Sequence, residues 1–385
     1  AGPFSGQPSG PDDADDADDT ERLSARLVRV HPLQPFSARH YVGAERSYDR
    51  DWCGVARAMR ETPMPPDRLP PDRSPSGWSD AALPPAPEQM RDVTLAQLER
   101  FLAHPIRYFV NSRLQLYLRE QEPEPDEEPF GLDALQRFGL RQQLVEGRLQ
   151  GREPEERQLS AEGRLPHGAF AGLAVQQQRA EVSPLIQQLA PYSGLQPEQI
   201  AVDLTFATDP DSGPCSLSGQ LGGIYPGLGL LRWKPAAIKG ADLLRLWLAH
   251  LAWCAAGEPG EKCSALYGLD ERFVIRAQLA PSEARAALSE LLGRYWQGIH
   301  RPLLLLPRAS FAYAESCHRG GRGDPMNAAR TGWTGNSFND IPGDQDDAYV
   351  QLVMRGVEGN PLEHADFVRL AMDFYGPILG SGGSA

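Results

Sequence analysis

The segment that most restricts the fold is 200–275, where the apolar period shortens, lengthens and shortens again. Ile200, Val202, Leu204 and Phe206 alternate with Ala201, Asp203, Thr205 and Ala207, the two-residue period of a strand buried on one face. Turn signals at 209–214 lead into Ser216-Leu217-Ser218-Gly219-Gln220-Leu221 and predict a hairpin with a strand over 215–221. Gly229-Leu230-Leu231-Arg232-Trp233-Lys234-Pro235 forms a third extended run. From Asp242 to Ala255 the period becomes helical, with Leu243, Leu244, Trp247, Leu248 and Leu251 on one face. A fourth strand follows at 263–267, and Phe273-Val274-Ile275 is expected to add an edge. Strand, apolar helix and strand in succession read as a crossover packed on a sheet, so the fold class is α/β.

Around this core the chain is mostly helical. Thr94-Leu95-Ala96-Gln97 fits a capping box ahead of Leu95, Leu98, Phe101 and Leu102. His104-Pro105 ends that helix and opens another bearing Ile106, Phe109, Val110, Arg113, Leu114 and Leu118. Further helices are expected from about 132 to 149, over 168–189, after Pro281, and near 348–355 and 364–375. Leu303 to Leu306 reads as a short buried run, and the Gly/Asn/Asp-rich tract 319–345 as a long loop or insertion. Upstream, residues 1–25 form an acidic linker expected to be disordered. Residues 26–92 follow as an extended arm, with a helix near Trp52 and a proline-rich spacer over 62–87. That leaves 93–385 as the α/β domain, its core at about 168–270.

Charge and composition exclude some classes. The formal charge is −13, but six aspartates in 12–19 and six acids in 120–128 account for 12 of it. The body is then near −1, so a nucleic-acid partner is not excluded. Of 38 basic residues only Lys234, Lys239 and Lys262 are lysine, a bias that fits GC-rich coding. Five cysteines without a C-x-x-C pair argue against a disulfide framework, a zinc ribbon or an iron–sulfur site, and fit a reducing cytoplasm. No apolar run reaches the roughly 18 residues of a membrane span, and no export signal is visible. There is no G-x-x-x-x-G-K-[ST], so ATP hydrolysis by a P-loop is not expected.

Several segments in order resemble one family. These are His31-Pro32-Leu33-Gln34-Pro35-Phe36-Ser37, His104-Pro105-Ile106-Arg107-Tyr108-Phe109 leading to Arg113-Leu114, Glu128-Pro129-Phe130, and Leu165-Pro166-His167-Gly168-Ala169-Phe170. Gly229-Leu230-Leu231-Arg232-Trp233-Lys234-Pro235 and Leu246-Trp247-Leu248-Ala249-His250-Leu251, with Cys254 and Gly257, complete the set. Together they are similar to the C-terminal part of the exodeoxyribonuclease V gamma subunits, the RecC family, over roughly 26–378. The resemblance implies a restriction-endonuclease-like core without nuclease activity, with added helices and an N-terminal arm. It further implies a fragment lacking the family's two inactive helicase-like domains, and RecB and RecD as partners. Double- and single-stranded DNA would be handled within the complex, and phage inhibitor proteins are a further class of partner. No cofactor is expected on this chain, Mg²⁺ and ATP being used by the partner subunits.

The residues bear on that inactivity independently. Hydrolysis by this fold needs Mg²⁺ held by carboxylates, usually an acid ending the second strand and an acid-x-lysine on the third. Here Gly219-Gln220-Leu221-Gly222-Gly223-Ile224 offers no acid, and two positions before Lys234 stands Arg232, which repels a metal. Asp203 lies one strand earlier and Asp242 on the helix after, neither at the expected spacing. The degenerate site is therefore Arg232, Lys234 and Asp203, with no catalytic residue and no metal ligand. Lys234, Arg107 and Arg113 are candidate phosphate contacts against the alternative of ion-paired or solvated roles. His250, His104 and His167 are read as core or capping residues, and Trp233, Trp247 and Trp253 as core. The tract 319–345 and the turn 209–214 both remain open as a strand-splitting wedge. The resemblance implies a non-catalytic scaffold that docks RecD and helps split and route DNA strands, and two further functional readings stand beside it: an active Mg²⁺-dependent nuclease, and a protein-docking module without DNA contact.

Overall fold

The computed structural model describes residues 31–42, 46–61, 83, 86–118, 131–152, 158–159, 165–166, 168–207, 213–258, 260–269, 271–320, 323–336, 341–355 and 359–384. Both acidic runs, most of the proline-rich spacer, His167 and residues 209–212 of the turn lie outside them. The chain divides into two units, residues 1–72 and 73–385.

In the first unit a helical turn at Ala38–Tyr41 precedes helix α1, Arg50–Glu61. Tyr41 donates its hydroxyl to the Pro35 carbonyl at 2.6 Å, and His40 Nε2 lies 3.0 Å from the Pro32 carbonyl. Asp49 Oδ1 accepts from the Asp51 and Trp52 amides, which starts α1 where Trp52 predicts a helix. Phe36 and Trp52 then meet with ring centroids 6.0 Å apart.

The second unit opens with strand β1, Asp92–Thr94, and helices α2, Leu95–Ala103, and α3, Pro105–Ser112. Thr94 and Gln97 form the expected capping box, and His104 accepts from the Arg107 amide ahead of Pro105. Helices α4, Ala134–Leu149, and α5, Ala169–Leu189, follow. Strands β2, Glu198–Phe206, β3, Cys215–Tyr225, and β4, Gly229–Trp233, lead into α6, Gly240–Ala256, and then β5, Ser264–Tyr267, and β6, Arg272–Ile275. The chain continues as α7, Pro281–His300, α8, Ala309–Arg319, and α9, Pro325–Thr334. Two-residue strands β7, Gly335–Asn336, and β8, Ile341–Pro342, then precede α10, Ala348–Met354, α11, Ala365–Ser381, and β9, Gly382–Ser384.

Seven strands make one mixed sheet: β1 runs parallel to β3, β2 antiparallel to β3, β3 to β4, β5 to β6 and β6 to β9, while β4 and β5 are parallel. The parallel pair requires a crossover, and α6 supplies it as the periodicity predicts. Helices α2, α6, α7 and α11 cover one face around Leu98, Leu217, Leu230, Leu248, Leu266 and Tyr375. On the opposite face α4 and α5 cover Leu231, Ala265 and Tyr267. Alternation of Leu230 with Leu231 and of Ala265 with Leu266 between the two cores is the strand period made visible. Each such leucine, almost wholly removed from water, contributes about 1.5–3 kcal/mol before entropy is counted. A third core joins Ile106, Phe109, Leu306, Ala329, Val350 and Phe367.

Three expectations change. The 272–275 strand is not an edge, because β9 pairs with it from Phe273↔Ser384 to Ile275↔Gly382. Gly382 sits so close that a Cβ would stand 2.5 Å from the Phe273 ring, which only glycine allows. The tract 319–345 is not simply a loop: Asp324 and Pro325 start α9, and β7 pairs with β8. The last helix runs on to Ser381 through Pro377, whose ring demands only that one backbone bond be given up.

Candidate functional site

Strand β2 pairs with β3 from Phe206↔Cys215 to Glu198↔Ile224 and so occupies one edge of β3 along its length. Strands β1 and β4 must therefore share the other edge. There β1 takes residues 216–218 and β4 only Ile224 and Tyr225. Between them, among the described residues, no strand pairs with 219–223 on that edge, which leaves a cleft there. Three glycines line its β3 side. At Gly223, φ is +81° and a Cβ would meet Arg232 Nη1 at 2.6 Å and the Leu231 carbonyl at 2.9 Å, so the position admits no side chain.

Arg232 fills this cleft. Its Nη1 donates to the Gly222 carbonyl at 2.8 Å, bridging the separated strands. Burial holds the guanidinium below its ordinary range, and Glu99 on α2 partly offsets this. The group nonetheless stays a cation at neutral pH. Lys234, at the end of β4, donates to Asp242 Oδ2 at 2.6 Å, while Arg245 donates to Asp242 Oδ1 at 3.1 Å. The same carboxylate accepts the Lys239 amide at 3.0 Å and so fixes the start of α6.

Of the sequence-predicted residues, the structure brings Arg232 and Lys234 to the same face of β4 and leaves Asp203 apart. Asp203 pairs with Ser218 and is exposed, with Val202 and Leu204 turned the other way into the core that Leu230 shares. By strand alternation Asp203 and Arg232 lie on opposite faces of the sheet. Ser218 is also four positions from Gly222 along β3, roughly 13 Å. Sequence spacing had set Asp242 aside, yet it is the partner of Lys234. Glu99 was not singled out at all; its only signal is an acid on the α2 turn facing the strands.

His250 is fully buried, with Nδ1 2.9 Å from Ser264 Oγ and Nε2 3.2 Å from the Ala277 carbonyl. Burial holds it below the ordinary histidine value. His104 caps α3 and stands 3.3 Å from Asp347. Arg107 lies over the Tyr349 ring at 5.1 Å, and Arg113 closes α3. Trp247 is buried, whereas Trp233 and Trp253 are half-buried. All five thiols are free. Among the described residues no three acid, histidine or cysteine side chains are grouped to hold a metal ion, and no helix is long and apolar enough to cross a membrane. A groove of about 680 Å³ opens elsewhere, between α7 and α11, where Arg294 pairs with Asp373.

Comparison with known proteins decides the family. Residues 90–318 match the model of the RecC C-terminal domain. The chain belongs to the RecC C-terminal domain family. Its matched region begins just ahead of β1 and ends within α8, so it contains the whole cleft. Among relatives, the RecBCD enzyme subunit RecC of Escherichia coli (strain K12) is 32% identical over 375 residues, 91% of this chain and 30% of that protein. The RecBCD enzyme subunit RecC of Mycobacterium tuberculosis (strain ATCC 25618 / H37Rv) is 28% identical, covering 87% of this chain and 30% of that protein. That of Buchnera aphidicola subsp. Schizaphis graminum is 24% identical over 74% of this chain and 27% of that protein. The chain thus spans less than a third of the length of these RecC relatives.

Proposed function

We propose that the chain is the C-terminal portion of a RecC subunit, a restriction-endonuclease-like core that does not cut DNA. In this reading it works in double-strand-break repair and homologous recombination as a scaffold that docks RecD and helps split and route DNA strands. One observation carries the non-catalytic reading: Arg232 occupies the cleft where a nuclease of this class would hold Mg²⁺ on carboxylates. A hard dication next to a guanidinium is repelled, and the nearby acids Glu99 and Asp242 face cations already. Lys234 is tied up by Asp242. Hydrolysis of DNA and ATP, with the Mg²⁺ it needs, belongs to the partner subunits RecB and RecD.

An apolar patch supports the docking role. Helices α4 and α5 run parallel, since Arg141 meets Gln178 and Glu181 while Val145, about one turn further along α4, lines a cleft with Ile186, further along α5. Their first turns share one end, where Leu135, Phe170 and Leu173 are 80%, 54% and 62% exposed. Such a patch suits a protein partner. The test is co-purification of the chain with RecD, with and without RecB, where retention is expected. Loss of RecD in both cases refutes the docking role. Purified protein should leave DNA intact with Mg²⁺ present; cleavage that stops on chelation and in Asp203→Asn would replace this reading with an active nuclease. The patch also favours a docking module without DNA contact, which predicts no salt-dependent affinity for forked DNA.

A further inference from the structure

Beyond the cleft, the end of β4 and the starts of α6 and α8 gather cations onto one corner. The starts of the two helices touch: a Cβ on Gly240 would stand 2.7 Å from Phe311 Cβ and 3.0 Å from the Tyr375 hydroxyl. That contact brings Lys239, one residue before α6, beside Arg308, one residue before α8. Lys234 stands close behind. Partial burial, then Lys234, then Arg308 hold the Lys239 ammonium below its ordinary range, with Asp242 opposing them.

The acids of this corner are already committed. Asp242 takes both Lys234 and Arg245. Asp344 is buried, 4% exposed, and turned to the backbone amides of Arg308 and Ala309 at 2.8–3.2 Å. Lys239 and Arg308 are both exposed, and among the described residues neither side chain has an ion pair or hydrogen bond. Asp242 acts on Lys239 and Asp344 on Arg308 only through space, so in a chain of net charge −13 two adjacent cations without a bonded carboxylate are a local surplus. Their mutual repulsion is relieved by an anion from outside.

We propose that Lys239 and Arg308, with Lys234 behind them, grip a backbone phosphate of a DNA strand crossing this corner. The proposal rests on the strand-handling part of the function proposed above and names where that contact is made. A phosphodiester fits better than a protein surface. None of the exposed large apolar side chains among the described residues falls between 229 and 320, whereas a protein interface needs an apolar centre. Phosphate contact needs only charge and donors, which Arg and Lys supply.

The test is binding of a forked oligonucleotide with single-stranded tails to the full chain at several salt concentrations. The Lys239→Ala/Arg308→Ala double variant should lower the slope of log affinity against log salt by about 1–2 and weaken binding roughly ten-fold. Lys239→Glu/Arg308→Glu should weaken it further. Arg319→Ala, an exposed arginine on α8 paired with Glu315, should leave binding unchanged. Unchanged melting temperatures establish that the variants fold. A wild-type slope in the double variant overturns this site and leaves strand handling standing. If the wild-type chain does not bind the fork yet retains RecD, both the site and the DNA-handling half of the function fall, and docking survives. If the double variant loses affinity for poly-glutamate but not for the fork, the anion is an acidic polypeptide and the proposal is wrong.

Discussion

Asp344 offers a quantitative test of how burial and hydrogen bonding compete. Its carboxylate is 4% exposed and accepts the Arg308 amide at 3.0 and 3.2 Å and the Ala309 amide at 2.8 Å, serving the start of α8 from 35 residues away in sequence. The amides favour the charged form, but burial outweighs them and pushes the group from 3.8 up to about 6. A carboxyl whose folded value is raised binds its proton more tightly when folded. Its contribution is therefore full below 3.8 and lost as pH rises through about 6. At about 1.4 kcal/mol per pH unit, that window is worth on the order of 3 kcal/mol. The assay is urea unfolding of the chain and of Asp344→Asn between about pH 3.5 and 7.5. Asparagine keeps an acceptor for the amides but does not titrate, so the difference between the two proteins cancels other groups. Wild type should lose stability relative to the variant by up to about 3 kcal/mol as pH rises. A flat difference, or one growing in favour of wild type with pH, would mean that the amides dominate burial and refute the reasoning.

Other outcomes follow from the same geometry. Gly223→Ala should destabilise by about 2–4 kcal/mol in urea unfolding, because a Cβ at φ +81° is strained and meets Arg232 and the Leu231 carbonyl. Arg232→Met should cost about 1–3 kcal/mol by leaving the Gly222 carbonyl without its donor, and a double-mutant cycle with Glu99→Gln should read a coupling near 1 kcal/mol. The His250 imidazole should titrate below 6.5 in NMR, so its contribution is present above that pH and lost as pH falls. Leu135→Asp/Leu173→Asp should abolish RecD capture while shifting stability by about 0.5 kcal/mol or less per site.

The sheet's central strands and their crossover were legible because local period and burial agree there: Val202, Leu204 and Phe206 point inward, as alternation requires. The capping signals at Thr94 and Pro281 likewise act within one helical turn. Strand β1 was missed because three residues carry no period, and β9 because Gly-Gly-Ser has no apolar face; both exist through partners distant in sequence. At the site, Arg232 two positions before Lys234 could be read from the sequence, but its bond to Gly222 could not. That bond depends on where β3 and β4 part. The degenerate site also grouped Asp203 with Lys234, since linear order does not report which face of a sheet a residue occupies, and Asp242, which α6 carries back to the strand end, was set aside on spacing.

The parallel and terminal pairings of the sheet also set an order of assembly. Strand β1 must wait for residues 216–218 before it has a partner, and β6 has an open side until residue 384 has been synthesised. Loop-closure entropy makes such distant pairings slow to form. During translation β6 therefore presents unsatisfied amides and carbonyls beside a half-covered core, a state that holdase chaperones recognise and that favours edge-to-edge association when synthesis outpaces closure.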